Sequence, residues 1–207
     1  MTSPPTNKPA PLGSMNGTWI LDKSRGQPSM RGYLETMGVT PLAIEAHEKG
    51  EEEHDTIHII EFADDSFTIK KMSRVNDFKL ELKLGQEFRQ ALPGDRIKTI
   101  LATSDCPGQN VKIVSRMPTM NGMAHVIDEK TLMREQNLLV LVQTLTIKNE
   151  LNGNENTTVR YFVPYQGEVG APAATAKGPD GRPMKGGGAR QKSVEDAMDD
   201  DNDSTYL

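Results

Sequence analysis

A single cysteine, Cys106, leaves this chain without an intramolecular disulfide, and a reducing compartment is the expected setting. Long apolar runs are missing too. The longest covers residues 138–142, against the roughly 18 residues at which a membrane-spanning helix becomes a candidate. The N-terminus has no basic-then-apolar stretch of the secretory kind. Basic charge is not in excess: the formal net charge is −5, which points away from nucleic acid as a partner. No nucleophile elbow, phosphate loop, Ser-His-Asp order or cysteine cluster occurs, so neither an enzyme nor a bound cofactor is expected. These absences imply a soluble, cytoplasmic, non-catalytic protein.

Large apolar residues are scarce at both ends. Residues 1–15 are Pro-rich and polar, and residues 166–207 are rich in Gly, Pro, Ala, Lys and Asp. Such segments bury too little surface to offset the entropy of ordering them, and both are expected to be disordered tails. Residues 16–165 carry almost all of the periodic apolar sequence and have the size of one domain.

Within that domain the period is mostly two. Residues 78–84 alternate strictly, with Phe78, Leu80, Leu82 and Leu84 on one face and Lys79, Glu81 and Lys83 on the other, as in a half-exposed antiparallel strand. Weaker alternation marks residues 57–62, 66–71, 97–102, 111–117, 124–130, 138–147 and 157–163. Turn signals separate them, among them 63–65, 92–95, 106–108, 118–122, 134–137 and 151–156. Two short helices interrupt the series. Met30, Tyr33, Leu34 and Met37 recur at helical spacing over 29–37, with Gly38 placed to stop them. Pro41 opens a second helix over 41–47, and the polar stretch 47–55 reads as a solvated loop. The expected order is one strand, a helix pair, then eight or nine strands, in a meander sandwich or an up-and-down barrel.

The order of elements and several short motifs together resemble the intracellular fatty-acid-binding and retinoid-binding proteins. The motifs are Asn16-Gly-Thr-Trp-Ile-Leu21, Tyr33-Leu-Glu-Thr-Met-Gly-Val39, Phe67-Thr-Ile-Lys70, Leu84-Gly-Gln-Glu-Phe88, Asp95-Arg-Ile-Lys98 and Val159-Arg-Tyr-Phe162. The resemblance covers residues 16–162 and implies an all-β fold: a ten-stranded up-and-down antiparallel barrel, with the helix pair capping one end as a portal. It also implies a carrier of a small hydrophobic ligand, a fatty acid or related lipid. A ten-stranded barrel is wide enough to leave a lumen. Each buried methylene contributes about 0.8 kcal/mol, enough for a long alkyl chain to bind despite the cost of association.

The resemblance also points to ligand-contacting residues. Arg160 takes the place of an inward arginine that holds a carboxylate in the family. Phe162 stands where the family has a tyrosine, and no second arginine falls within 129–132. The full Arg-Arg-Tyr clamp is therefore missing, and a neutral or differently held lipid, a sterol or a retinoid-like molecule stays open. Thr131, Val142 and Thr144 map near cavity positions. Met30, Leu34, Met37 and Val75 map to the portal. Plain barrel or helix packing is the competing explanation for the first six of these, Val75 is small where the family has a portal aromatic, and a surface position is the competing explanation for Arg160. His54 and His58 are four apart beside acidic residues and would share a strand face, but the polar segment around them is not assigned a metal site.

In the C-terminal segment, residues 177–192 are basic and 195–203 acidic. A transient membrane contact through the basic block is one reading. A barrel without ligand, acting as an adaptor through its tails, is the alternative function. The chain is expected to act as a monomer.

Overall fold

A computed structural model describes residues 13–73, 77–165 and 167. The expected tails and the portal position Val75 lie almost wholly outside the described residues. Ten strands and two helices follow one another as β1 (Gly17–Leu21), α1 (Arg31–Thr36), α2 (Pro41–Glu53), β2 (Ile57–Ala63), β3 (Ser66–Met72), β4 (Phe78–Lys83), β5 (Glu87–Leu92), β6 (Arg96–Thr103), β7 (Asn110–Thr119), β8 (Gly122–Glu135), β9 (Leu138–Asn149) and β10 (Glu155–Pro164). Every strand pairs antiparallel with its neighbour, and β1 bridges β2 and β10, so the meander curls into a nearly closed barrel. The seam lies between β4 and β5, which share no ladder. A bridge from Leu84 to Ala102 spans it, helped by the Gly85 amide donating to the Ala102 carbonyl at 2.8 Å.

Local chemistry explains the turns. Glu135 pairs with Leu138, leaving Gln136 and Asn137 as a two-residue loop with φ of 46° and 72°, the primed geometry that matches strand twist. Two strands depart from expectation. β5 (EFRQAL) lacks alternation because its residues are mostly exposed along a barrel edge, and it is an additional strand. β8 runs for 14 residues, longer at both ends than its apolar core suggests.

The second helix is also longer than expected. Residues 47–53, read as loop, complete α2. Apolar period could not show this, since Ile44 is the helix's buried residue. Polar contacts hold it instead. Glu48 accepts from Ser29 Oγ at 2.7 Å and from the Arg31 guanidinium, and Lys23 Nζ donates to the last carbonyls, Glu52 O at 3.1 Å and His54 O at 2.8 Å. Among the described residues, no helix is long and apolar enough to cross a membrane.

Inward-facing residues form two apolar clusters. The floor gathers Met15, Trp19, Phe67, Ile69, Leu141 and Phe162 with their neighbours, and the Trp19 indole N–H donates to the Met15 carbonyl at 2.8 Å. The cap cluster packs Tyr33, Leu34 and Met37 of the α1 region and Ile44 of α2 on Ala124, Val126, Leu145 and Ile147, with Met30 alongside.

Candidate lumenal site

Read along the strands, the two clusters are separated by polar residues. On β8 the buried series is Ala124, Val126, Asp128, Lys130, Leu132. On β9 Gln143 lies between Leu141 and Leu145, and on β10 Arg160 precedes Phe162. His58 precedes Ile60 on β2, and Lys71 follows Ile69 on β3. Lys98 shares the face of Ile100 and Ala102 on β6. The ladders align these residues, since Lys130 pairs with Gln143, Gln143 with Arg160, and His58 with Lys71. The result is a belt of polar side chains inside an otherwise apolar barrel.

Two ion-paired groups occupy the belt. Lys130, wholly buried, donates to Asp128 Oδ1 at 2.5 Å, and Gln143 Nε2 donates to the same oxygen at 2.9 Å. Lys71 Nζ stands 3.9 Å from Asp128 Oδ2. Burial alone would raise the Asp128 carboxyl, but the charges of Lys130 and Lys71 outweigh it and hold the group below the usual carboxylate range. The second group reaches in from the cap: Arg160 Nη2 donates to Glu51 Oε1 at 2.6 Å, and His47 Nδ1 lies 3.7 Å from Glu51 Oε2. Burial lowers His47 against the pull of Glu51.

Positive charge is in surplus. Among the described residues, the belt sets Lys71, Lys98, Lys130 and Arg160 against the carboxylates of Asp128 and Glu51. Burial pushes Lys71 down to about 8, opposed by Asp128, and lowers Lys98 in the same way. His58 is pushed well below its ordinary value by burial and by the nearby cations, so it is neutral; its ring stacks on Phe162 at 4.3 Å. Several buried polar atoms have no hydrogen-bond partner, including Gln143 Oε1, Arg160 Nε, Glu51 Oε2 and His58 Nδ1. Such atoms are costly when dry and ready to bond a polar group that enters.

Arg160 and Phe162 both face the lumen, and the arginine lies 5.8 Å over the phenyl ring. Thr131, Val142 and Thr144 stand on the opposite, outer face: Thr131 is exposed, and Thr131 pairs with Val142 while Thr144 pairs with Glu129, whose carboxylate accepts from Lys112 outside the barrel. The lumenal residues at these places are their neighbours Lys130, Leu141 and Gln143. Sequence alone did not settle the side, because both parities of β8 and β9 carry apolar residues, Ile127 and Met133 outward against Val126 and Leu132 inward. Leu34 and Met37 are buried between cap and barrel, with Met30 half-buried. His54 and His58 do not share a face: His54 terminates α2, and His58 lies within β2.

Sequence reading missed Lys130, Asp128, Gln143, Lys71 and Glu51. A charged pair at alternate positions inside a flanking apolar series was the available signal for Asp128 and Lys130. Nothing local marks Glu51, whose role depends on a strand more than a hundred residues away.

No family model and no curated protein matches the sequence. Solved structures do. Apo lipid binding protein 8 from Caenorhabditis elegans aligns with a TM-score of 0.54 at 20% identity, over 74% of this chain and 99% of that one. A Schistosoma mansoni fatty acid binding protein in complex with arachidonic acid gives 0.55 at 12% identity, over 75% and 99%. The fatty-acid-binding protein of Manduca sexta gives 0.50 at 18%, over 73% and 99%. The barrel fold is thus one shared with solved lipid- and fatty-acid-binding proteins.

Proposed function

We propose that this protein is a non-enzymatic, monomeric carrier of an anionic lipid in the cytoplasm, with a long-chain carboxylate as the simplest ligand. The cationic surplus of the buried belt carries this reading. A barrel that only needed a core would gain by filling its centre with apolar side chains, since buried ion pairs cost about as much as they return. Here the centre keeps unpaired cationic capacity between two apolar clusters. An amphipathic anion answers both features: its alkyl part lies among apolar side chains, and its head offsets the surplus charge.

The reading changes what is expected of the head. The head is expected to meet Arg160, whose Nε has no hydrogen-bond partner, with Lys71 and Lys130 beside it in the belt. The two lysines supply the positive charge that the missing second arginine would have given. We read the entrance as lying between α1 and the barrel rim, beside Leu34 and Met37, since methionine adapts to varied chains. The fold shared with proteins named for fatty-acid binding supports the assignment. The adaptor alternative has no observation in its favour among the described residues.

Titration of delipidated protein with hexadecanoate and with hexadecanol tests the proposal. Saturable binding is expected for both, tighter for the acid. Lys71→Met is expected to weaken hexadecanoate about tenfold, the worth of one charge-assisted contact, while leaving hexadecanol nearly unchanged. Absence of saturable binding by either lipid rules the carrier out.

A further inference from the structure

Arg160 is only half satisfied. Its Nη2 meets Glu51 Oε1, but its Nε has no hydrogen-bond partner, and Glu51 Oε2 has none either. A guanidinium and a carboxylate usually join through two parallel N–H···O bonds, and this contact makes one. The side chains are 6% and 11% exposed, so bulk water does not readily replace the missing bond. Glu51 is carried on α2, whose backbone limits how its carboxylate can approach. A free carboxylate has no such tether and can present both oxygens to the fork.

The helix behind Glu51 is weakly held at that end. Glu51, Glu52 and Glu53 close α2 with three carboxylates at the negative end of its dipole, and no basic residue lies in that turn. Gly50, just before them, lowers the helical preference further. The helix's buried apolar residue, Ile44, sits near the other end. Arg160 and the carbonyl contacts from Lys23 help to pin the last turn, and Lys49 Nζ stands 3.9 Å from Glu53 Oε1.

We propose that Glu51 is a displaceable latch: its carboxylate occupies Arg160 in the empty barrel, an entering lipid carboxylate takes its place, and the last turn of α2 is released. The inference rests on the carrier reading. It makes Glu51 a built-in competitor that sets affinity for acids without touching affinity for neutral lipids. The incoming acid wins because it makes both bonds to the guanidinium where Glu51 makes one. The displaced carboxylate keeps His47, one turn earlier, as a neighbour. Loaded and empty protein then differ at the cap.

Two measurements on the full chain test this. Hydrogen exchange of amides 48–54 is expected to speed up about tenfold with bound hexadecanoate and not with bound hexadecanol, as a shift in a local two-state equilibrium requires. Glu51→Gln is expected to tighten hexadecanoate about tenfold and leave hexadecanol unchanged, because it removes the competing charge. Equal protection of α2 with both lipids overturns the latch, as does an unaltered acid-to-alcohol ratio in Glu51→Gln. Should that variant fail to fold, the exchange result on the unaltered protein decides. If neither lipid binds the unaltered protein, the carrier reading falls and the latch with it.

Discussion

The floor of the barrel and its belt sit two residues apart along each strand yet hold together by opposite means. In the floor, Phe67, Ile69 and Leu141 bury hydrocarbon, and each stabilises by the apolar surface it removes from water. In the belt, Lys130, Asp128 and Gln143 form a unit in which each member is costly without the others. The lesson is that a lumen can be lined by side chains that are buried without being core. Their pairing keeps the structure intact, while their leftover charge is available to a ligand.

Mutation should separate the two regimes. The largest effect is expected for Phe67→Ala, about 3–5 kcal/mol of stability by urea unfolding, with further loss when Leu82, its cross-strand partner, is also truncated. The acid-to-alcohol binding ratio should not move. Lys130→Met is expected to cost about 3 kcal/mol, because it leaves the Asp128 charge short of its main partner. Adding Asp128→Leu should recover most of that loss. A double variant as weak as the sum of its parts would show that Lys130 and Asp128 are not coupled.

The pH dependence gives a smaller, signed effect. Lys71 titrates at about 8 in the fold against 10.5 for a free lysine. Between those values the unfolded chain binds more protons, so stability rises with pH over about 8 to 10.5. The rise is shallow because a third of the side chain is exposed. Lys71→Met should reduce it, leaving the part that Lys98, lowered in the same way, contributes, and urea midpoints measured from pH 7 to 11 check this. Asp128 gives a slope of the same sign in an acidic window: its contribution is present above the ordinary carboxylate range and is lost as pH falls through its depressed folded value. Smallest of all is Thr131→Val on the outer face, expected within about 0.5 kcal/mol and without effect on hexadecanoate titration.

Much of this architecture was legible in the chain. Strict alternation over β4, the turn residues between strands and the Pro41 helix start all follow local rules, and the strands formed where the period of two was found. The misses have local causes as well. β5 faces solvent along an edge and has no apolar face to alternate. The end of α2 is fastened by ion pairs and carbonyl contacts, which leave no period in the sequence. Thr131, Val142 and Thr144 were placed on the wrong wall because β8 and β9 are apolar on both faces, and a step of one residue exchanges inside for outside.

Alternation, turn chemistry and a scarcity of large apolar residues at both ends determined a meandering β domain with a helical insert, since those features depend only on near neighbours along the chain. Closure of β1 onto β10, the side to which Lys130 and Gln143 turn, and the meeting of Glu51 with Arg160 were decided by the tertiary structure. The physical reason is that a buried charge is tolerable only beside its partner, and these partners are brought together by the curl of the whole sheet.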